Sequence, residues 1–188
     1  MTKSNAVLLA LVALSTALSS AAHAQLSNPW KFTVFAGAAL PSGNTGDDLK
    51  TGYTVGGAVD LRAPLTPLGL RGEVVYSSFD AKNTGGIGNA SLSDFGGNLN
   101  AVYWMPSPGT PLTAYLTGGP SYAHLTAKAN AGNVTESISE DHWGFNVGAG
   151  IDFALSGLST RLDVRYRQIS TGNGDRLRAF PITVGITF

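Results

Sequence analysis

From Trp30 to Phe188, apolar residues recur at every second position in run after run, and the positions between them are polar or small. A period of two marks a β-strand with unlike faces, because successive side chains point to opposite sides. In the first run Trp30, Phe32, Val34, Ala36, Ala38 and Leu40 share one face, and Lys31, Thr33, Phe35, Gly37 and Ala39 the other. Next, Tyr53, Val55, Gly57, Val59 and Leu61 oppose Thr54, Gly56, Ala58, Asp60 and Arg62; Leu70, Val74 and Tyr76 then oppose Arg71, Glu73 and Ser77. Phe95, Leu99, Ala101, Tyr103 and Met105 oppose Asp94, Asn98 and Asn100, and Leu112, Ala114, Leu116 and Tyr122 oppose Thr113, Tyr115 and Thr117, with a bulge expected at Pro120. Phe145, Val147, Ala149, Ile151 and Phe153 oppose Asn146, Gly148, Gly150 and Asp152; Leu162, Val164 and Tyr166 oppose Arg161, Asp163, Arg165 and Arg167. The eighth run sets Phe180, Ile182, Val184, Ile186 and Phe188 against Pro181, Thr183, Gly185 and Thr187.

The connections alternate in length. Segments 41–51, 80–92, 126–141 and 170–176 are long and rich in Gly, Asn and Asp, whereas 63–69, 106–111 and 156–158 are shorter and carry Pro, Ser and Gly. Long loops at one end, short turns at the other and both termini on the short-turn side define an up-and-down antiparallel barrel of the outer-membrane kind. Glycine pairs at 56–57, 96–97 and 118–119 suit the curvature of a small barrel.

A soluble ligand-binding barrel shows the same alternation turned inside out, so the faces need separate evidence. The apolar faces carry no Asp, Glu, Lys or Arg through the middle of any run, as lipid requires, since Lys or Arg at the bilayer midplane costs ~2–4 kcal/mol. The aromatics are also banded. Tyr53, Tyr76, Phe95, Tyr122, Phe145, Tyr166 and Phe180 fall near the long-loop ends, and Trp30, Tyr103, Phe153 and Phe188 near the short-turn ends, with Ala, Val, Ile and Leu between. Two such girdles mark the two headgroup levels of a membrane. The predicted fold is an all-β, eight-stranded antiparallel up-and-down transmembrane barrel over residues 25–188.

Composition sharpens this picture. Only 13% of the 188 residues are charged, about half the usual ~25%, which fits an exterior largely hidden from water. The 24 glycines and 9 prolines disfavour long helices. Twelve basic residues against twelve acidic ones remove the electrostatic case for nucleic acid, and the absence of cysteine excludes disulfides and thiolate chemistry. Met1–Ala24 reads as a cleaved secretory signal: Lys3 gives the positive start, Ala6–Leu18 the apolar run, and Ala22-His23-Ala24 the small-x-small site before Gln25. Its apolar run is short of the ~20 residues that a spanning helix needs.

On the inward faces, Lys31, Asp60, Arg62, Arg71, Glu73, Asp152, Arg161, Asp163 and Arg165 all fall in the periplasmic half of their strands. An eight-stranded barrel has an interior just wide enough for side chains, so these charges are expected to pair, and unpaired ones there would carry a large desolvation penalty. The expected result is a plug that closes the lumen; the alternative is an ion or proton path.

The chain resembles the small outer-membrane β-barrels typified by the OmpA barrel domain and OmpX. The most specific element is the terminal strand Phe180-Pro181-Ile182-Thr183-Val184-Gly185-Ile186-Thr187-Phe188; softer echoes are Lys50-Thr51-Gly52-Tyr53 and Arg165-Tyr166-Arg167. The resemblance implies that Phe180, Ile182, Val184, Ile186 and Phe188 are read by the barrel-assembly machinery, and that the protein sits among outer-membrane lipid and lipopolysaccharide. It implies no single activity, since members include anchors, adhesins, surface-evasion proteins and a few lipid-modifying enzymes. The peptidoglycan-binding domain of full-length OmpA proteins has no counterpart within these residues.

Candidate chemistry is sparse. His124-Leu125-Thr126 with Glu136 and Glu140 is distantly similar to the His/Ser/Glu set of outer-membrane lipid A deacylases, but Thr126 stands where the serine would be; an interfacial histidine is the simpler reading, as it is for His142 beside Trp143. Two mature histidines and no cysteines do not build a usual zinc set, and no cofactor is expected. The function expected from sequence is a non-enzymatic barrel that supports the envelope or displays loops to an extracellular partner. A small-solute or ion channel comes second and a lipid-modifying enzyme third.

Overall fold

The computed structural model describes residues 30–188 except 64, 83–89, 107, 132–133, 156–157 and 172–175. The segment read as a signal peptide therefore lies outside the described residues. Eight strands run β1 (Trp30–Pro41), β2 (Gly52–Arg62), β3 (Leu68–Asp80), β4 (Ala90–Pro106), β5 (Leu112–Ala131), β6 (Val134–Leu155), β7 (Leu158–Ser170) and β8 (Arg176–Thr187). Every strand pairs antiparallel with its neighbour in sequence, and β8 pairs back onto β1 through Thr33↔Thr187 to Pro41↔Ala179, which closes the barrel. Closure leaves no strand edge through the barrel wall, the condition for a sheet to cross lipid. A single helical turn, α1 (Asn44–Asp48), lies in the β1–β2 connection.

The two faces of each strand separate as the alternation predicts. Phe32, Val55, Val74, Leu99, Leu116, Val147, Val164 and Val184 point outward and are exposed, while Thr33, Thr54, Arg71, Asn100, Thr117, Asn146, Asp163 and Thr183 point inward and are buried. The outward band runs round the whole barrel, far more than the few hundred Å² of contiguous apolar surface that a water-soluble monomer exposes.

Two expectations need correction. No bulge occurs at Pro120, which pairs with Phe145 in a β5–β6 register that is constant from Leu112↔Phe153 to Ala131↔Val134. Instead the β4–β5 ladder skips from Asn98↔Ser121 to Ala101↔Gly118 without a change of register; a missing N–H is absorbed as a gap in one ladder. Pro181 does the same, since β7–β8 pairing skips from Val164↔Ile182 to Arg167↔Ala179. The second correction concerns segment 126–141, whose described parts, 126–131 and 134–141, are strand rather than loop. β5 and β6 are 20 and 22 residues long, about twice the ~9–11 that span a bilayer, and their hairpin runs on past Gly144↔Ile169, the last pair of β6 with β7, with β4 alongside it up to Ala90↔Ala129. It is strand because both sides of β5 find partners, Ala90↔Ala129 to β4 and Ala129↔Glu136 to β6, which outweighs a turn-like composition.

Candidate functional site: a charged interior under an apolar cap

Side chains at the short-turn end of the lumen form one ion-pair chain. Arg161 donates through Nε and Nη2 to both oxygens of Asp152 at 2.7 and 3.0 Å, and Arg62 lies 3.6 Å from the same carboxylate. Arg161 also reaches Asp60 at 2.9 Å and donates through Nη1 to Thr33 Oγ1 at 3.1 Å. Asp60 accepts from Arg71 Nε at 2.5 Å, and Arg71 Nη1 lies 3.8 Å from Asp163. Asp163 accepts both Nε and Nη2 of Arg165, which in turn pairs with Glu73. Eight of the nine charged residues singled out above thus join in one network of four arginines and four carboxylates. Lys31 is the register partner of Asp60 but stays half-buried at the rim, outside the ion pairs among the described residues.

Aromatic and amide groups complete the network. Tyr115 donates its hydroxyl to Asp163 while the Arg71 and Arg161 guanidinium groups lie 4.6 and 5.2 Å from its ring centre, so one phenol contacts two cations and one anion. It has room because its register partner is Gly150, where a Cβ would collide with the phenol oxygen. Arg62 covers the inward-facing Trp104 ring at 4.4 Å. Glu73 Oε2 accepts from Asn98 and Asn100 at 2.9 and 3.3 Å, and Asn146 donates on to Asn100 and Ser121 at 2.8 and 3.1 Å. These contacts offset part of the cost of burying charge, while Arg62 Nε, Arg71 Nη1 and Glu73 Oε1 stay buried without a hydrogen-bond partner.

The charges are not confined to the lower half, as the sequence suggested. Asp94 on β4 pairs across the lumen with Arg167 on β7, both buried and nearer the long-loop end. Above them the interior turns apolar. Ala123, Leu125, Ile169 and Leu177 form one cluster and Ala39, Phe79 and Ala179 another, with Leu49 and Leu92 packed against both. Leu49 follows α1 and is held over the mouth by its bridge to Ala81 and by Lys50 N–H donating to the Asp80 carbonyl at 2.8 Å. A cavity of about 10 Å³ remains between this cap and the Asp94–Arg167 pair, room for about one water.

On the outer surface the aromatics meet neighbour to neighbour. Tyr53 lies 6.1 Å from Tyr76, Tyr122 5.3 Å from Trp143, Phe145 6.0 Å from Tyr166, and Tyr166 5.3 Å from Phe180. Phe95 is the register partner of Tyr76. At the other end Phe32 stacks on Phe188 at 6.5 Å, and Trp30, Tyr103 and Phe153 are exposed. Phe188 also exchanges two backbone hydrogen bonds of 2.9 Å with Phe32, and Phe180, Ile182, Val184 and Ile186 line the outward face of β8. Among the described residues no group of three or more His, Asp or Glu stands together as a metal would need.

His124 sits in the protruding hairpin beyond the Tyr122–Trp143 contact. Its Nδ1 is 2.7 Å from Asp141, and Thr126 and Ser139 share a hydroxyl contact of 3.0 Å in the next rung. Hydrogen bonds from His124 and then Tyr122 hold the exposed Asp141 carboxyl below its ordinary range. Glu140 contacts His142 at 3.2 Å on the opposite face, and the Glu136 side chain lies outside the described residues. His124 therefore has an acidic partner in Asp141, whereas Glu140 is engaged with His142.

A closed antiparallel barrel with an apolar outer band, two aromatic belts and a charged interior defines an integral protein of a bacterial outer membrane. A family model described as the outer membrane protein beta-barrel domain matches residues 8–188, and the chain belongs to that family. No curated protein matches it in sequence. Among solved structures, Neisserial surface protein A is similar at 18% identity and a TM-score of 0.62, over 85% of this chain and 96% of that one. A major outer membrane protein from Thermus thermophilus is 17% identical with a TM-score of 0.59, over 86% and 99%. Ail, the attachment invasion locus protein of Yersinia pestis, is 12% identical with a TM-score of 0.50, over 85% and 97%. At these identities the likeness is one of fold.

Proposed function

We propose that this barrel is a non-enzymatic, non-conducting wall element of the outer membrane whose long-loop end, dominated by the β5–β6 hairpin, is presented to an extracellular partner. The observation that carries the reading is the interior itself. Opposite charges cross the lumen in contact with one another, and an apolar cap with Leu49 covers them. A solute path through such an interior would have to part several desolvated ion pairs at once, each costing several kcal/mol to break. In this reading the outer face meets membrane lipid and lipopolysaccharide, and the alternating apolar residues of β8 ending in Phe188 are read by the barrel-assembly machinery.

Swelling of proteoliposomes tests it. Vesicles holding the refolded protein are expected to swell in isosmotic sugars or amino acids no faster than protein-free vesicles, whereas swelling graded by solute size would establish the channel reading.

A further inference from the structure

We propose that Arg176 and Arg178, with Gln168 and Ser170 beside them, form a site on the outer wall of β7 and β8 for the phosphate of an outer-leaflet lipid headgroup. The inference rests on the outer wall facing lipid and is independent of whether the lumen conducts. Both arginines occupy outward positions of β8, in line with Phe180, Ile182 and Val184, whereas Leu177 and Ala179 between them are buried in the cap. Arg178 is two residues and Arg176 four residues beyond Phe180, which touches Tyr166 in the upper aromatic belt. At a strand rise of ~3.4 Å per residue, the guanidinium groups stand within about two residue pairs of the belt, where lipid phosphates lie.

The neighbouring strand adds donors. Gln168 is the register partner of Arg178, and Ser170 that of Arg176. Gln168 uses its carbonyl oxygen to accept from the Tyr166 hydroxyl at 2.9 Å, which leaves its amide N–H groups for another acceptor. Neither arginine has an ion pair among the described residues, and Arg178 Nε is buried with no hydrogen-bond partner; Asp175, next in the chain, lies outside those residues. On the described outward positions of β7 and β8 no carboxylate accompanies the pair.

The patch is also held in place. The Thr45 hydroxyl accepts from Arg178 N–H at 3.2 Å and donates to the Arg176 carbonyl at 3.1 Å, and Ser42 N–H donates to the Arg178 carbonyl at 3.0 Å. The β1–β2 connection thereby fixes the backbone of both arginines, and Gly43 lies against the half-buried Arg178 side chain, close enough that a Cβ there would come within 3.5 Å of Nη1. Two guanidinium forks with an amide and a hydroxyl alongside match a tetrahedral, multiply charged oxyanion, and an apolar strip directly below suits the acyl chains attached to it.

The test titrates detergent-solubilised, refolded protein with phosphorylated lipopolysaccharide, with the same lipid after enzymatic dephosphorylation, and with inorganic phosphate, following bound lipid by native mass spectrometry. The R176Q/R178Q double variant is expected to bind the phosphorylated lipid about tenfold or more weakly than the original chain and the dephosphorylated lipid equally. The R176K/R178K variant is expected to recover part of the loss. A heat-shifted gel band confirms that each variant is folded. Equal binding of phosphorylated and dephosphorylated lipid by the original chain, or no loss in R176Q/R178Q, would overturn the proposal. Inorganic phosphate bound by the arginines while lipid binding stays unchanged in R176Q/R178Q would reassign the site to soluble phosphate and overturn the lipid assignment.

Discussion

Replacing Asp60 by alanine is expected to destabilise the folded barrel by about 3–5 kcal/mol, the typical cost of removing one partner from a buried ion pair. Asp60 is 1% exposed and accepts from two arginines, Arg71 at 2.5 Å and Arg161 at 2.9 Å. Arg71 is fully buried, and its Nη1 has no hydrogen-bond partner. Without Asp60 its nearest remaining carboxylate is Asp163 at 3.8 Å, so a desolvated positive charge is left poorly compensated. The check is urea unfolding of the refolded protein in lipid vesicles. Combining Asp60→Ala with Arg71→Met is expected to recover much of the loss, because replacing both members of a buried pair by apolar side chains is often close to neutral. A single variant within about 1 kcal/mol of the original chain, the range of exposed pairs, would mean that water reaches these groups freely.

Leu99→Arg is expected to cost about 2–4 kcal/mol in lipid vesicles. Leu99 lies on the outward face of β4, midway between Phe95 in the upper belt and Tyr103 in the lower one, and it is 58% exposed. In a water-soluble protein, a substitution at so exposed a position usually changes stability by no more than about 0.5 kcal/mol. The large predicted cost therefore comes from lipid alone. Thr126→Arg, on the outward face of the protruding hairpin, is the matched control and is expected to cost about 0–1 kcal/mol, as charges near or beyond the interface do. Similar small effects at both positions would place the Leu99 band in water.

Strand number, order and facing were all legible because a residue's parity decides its side of the sheet. Lumen depth was not. Depth depends on how each strand is staggered against the next, and that is set by pairing across the whole barrel. Asp94 and Arg167 sit on inward faces by parity, yet nothing in the one-dimensional pattern says that β4 and β7 bring them together across the lumen. Tyr115 was readable as inward but stood alone among threonines; the signal for its role is the glycine opposite it, since Tyr115↔Gly150 pairs a large ring with an empty position. Leu49 lay in a segment whose Gly and Asp content marks it as loop, and only the fold shows that the segment turns back over the mouth. The β5–β6 hairpin was hidden for the opposite reason: short polar residues such as Thr126, Ser137 and Ser139 carry no apolar alternation when both faces are wet, so a strand beyond the membrane looks like a loop. His124 likewise acquires Asp141 only through the register of that hairpin.

Whether opposite charges close the lumen is tested most directly by single-channel recording of the refolded barrel in a planar lipid bilayer at neutral pH. Silence is the predicted result for the original chain, with discrete openings appearing once Glu73→Ala and Arg165→Ala are combined, since that double change removes one crossing ion pair and the bulk that fills the space around it. Steady, reproducible openings from the original chain under the same conditions would contradict a closed interior.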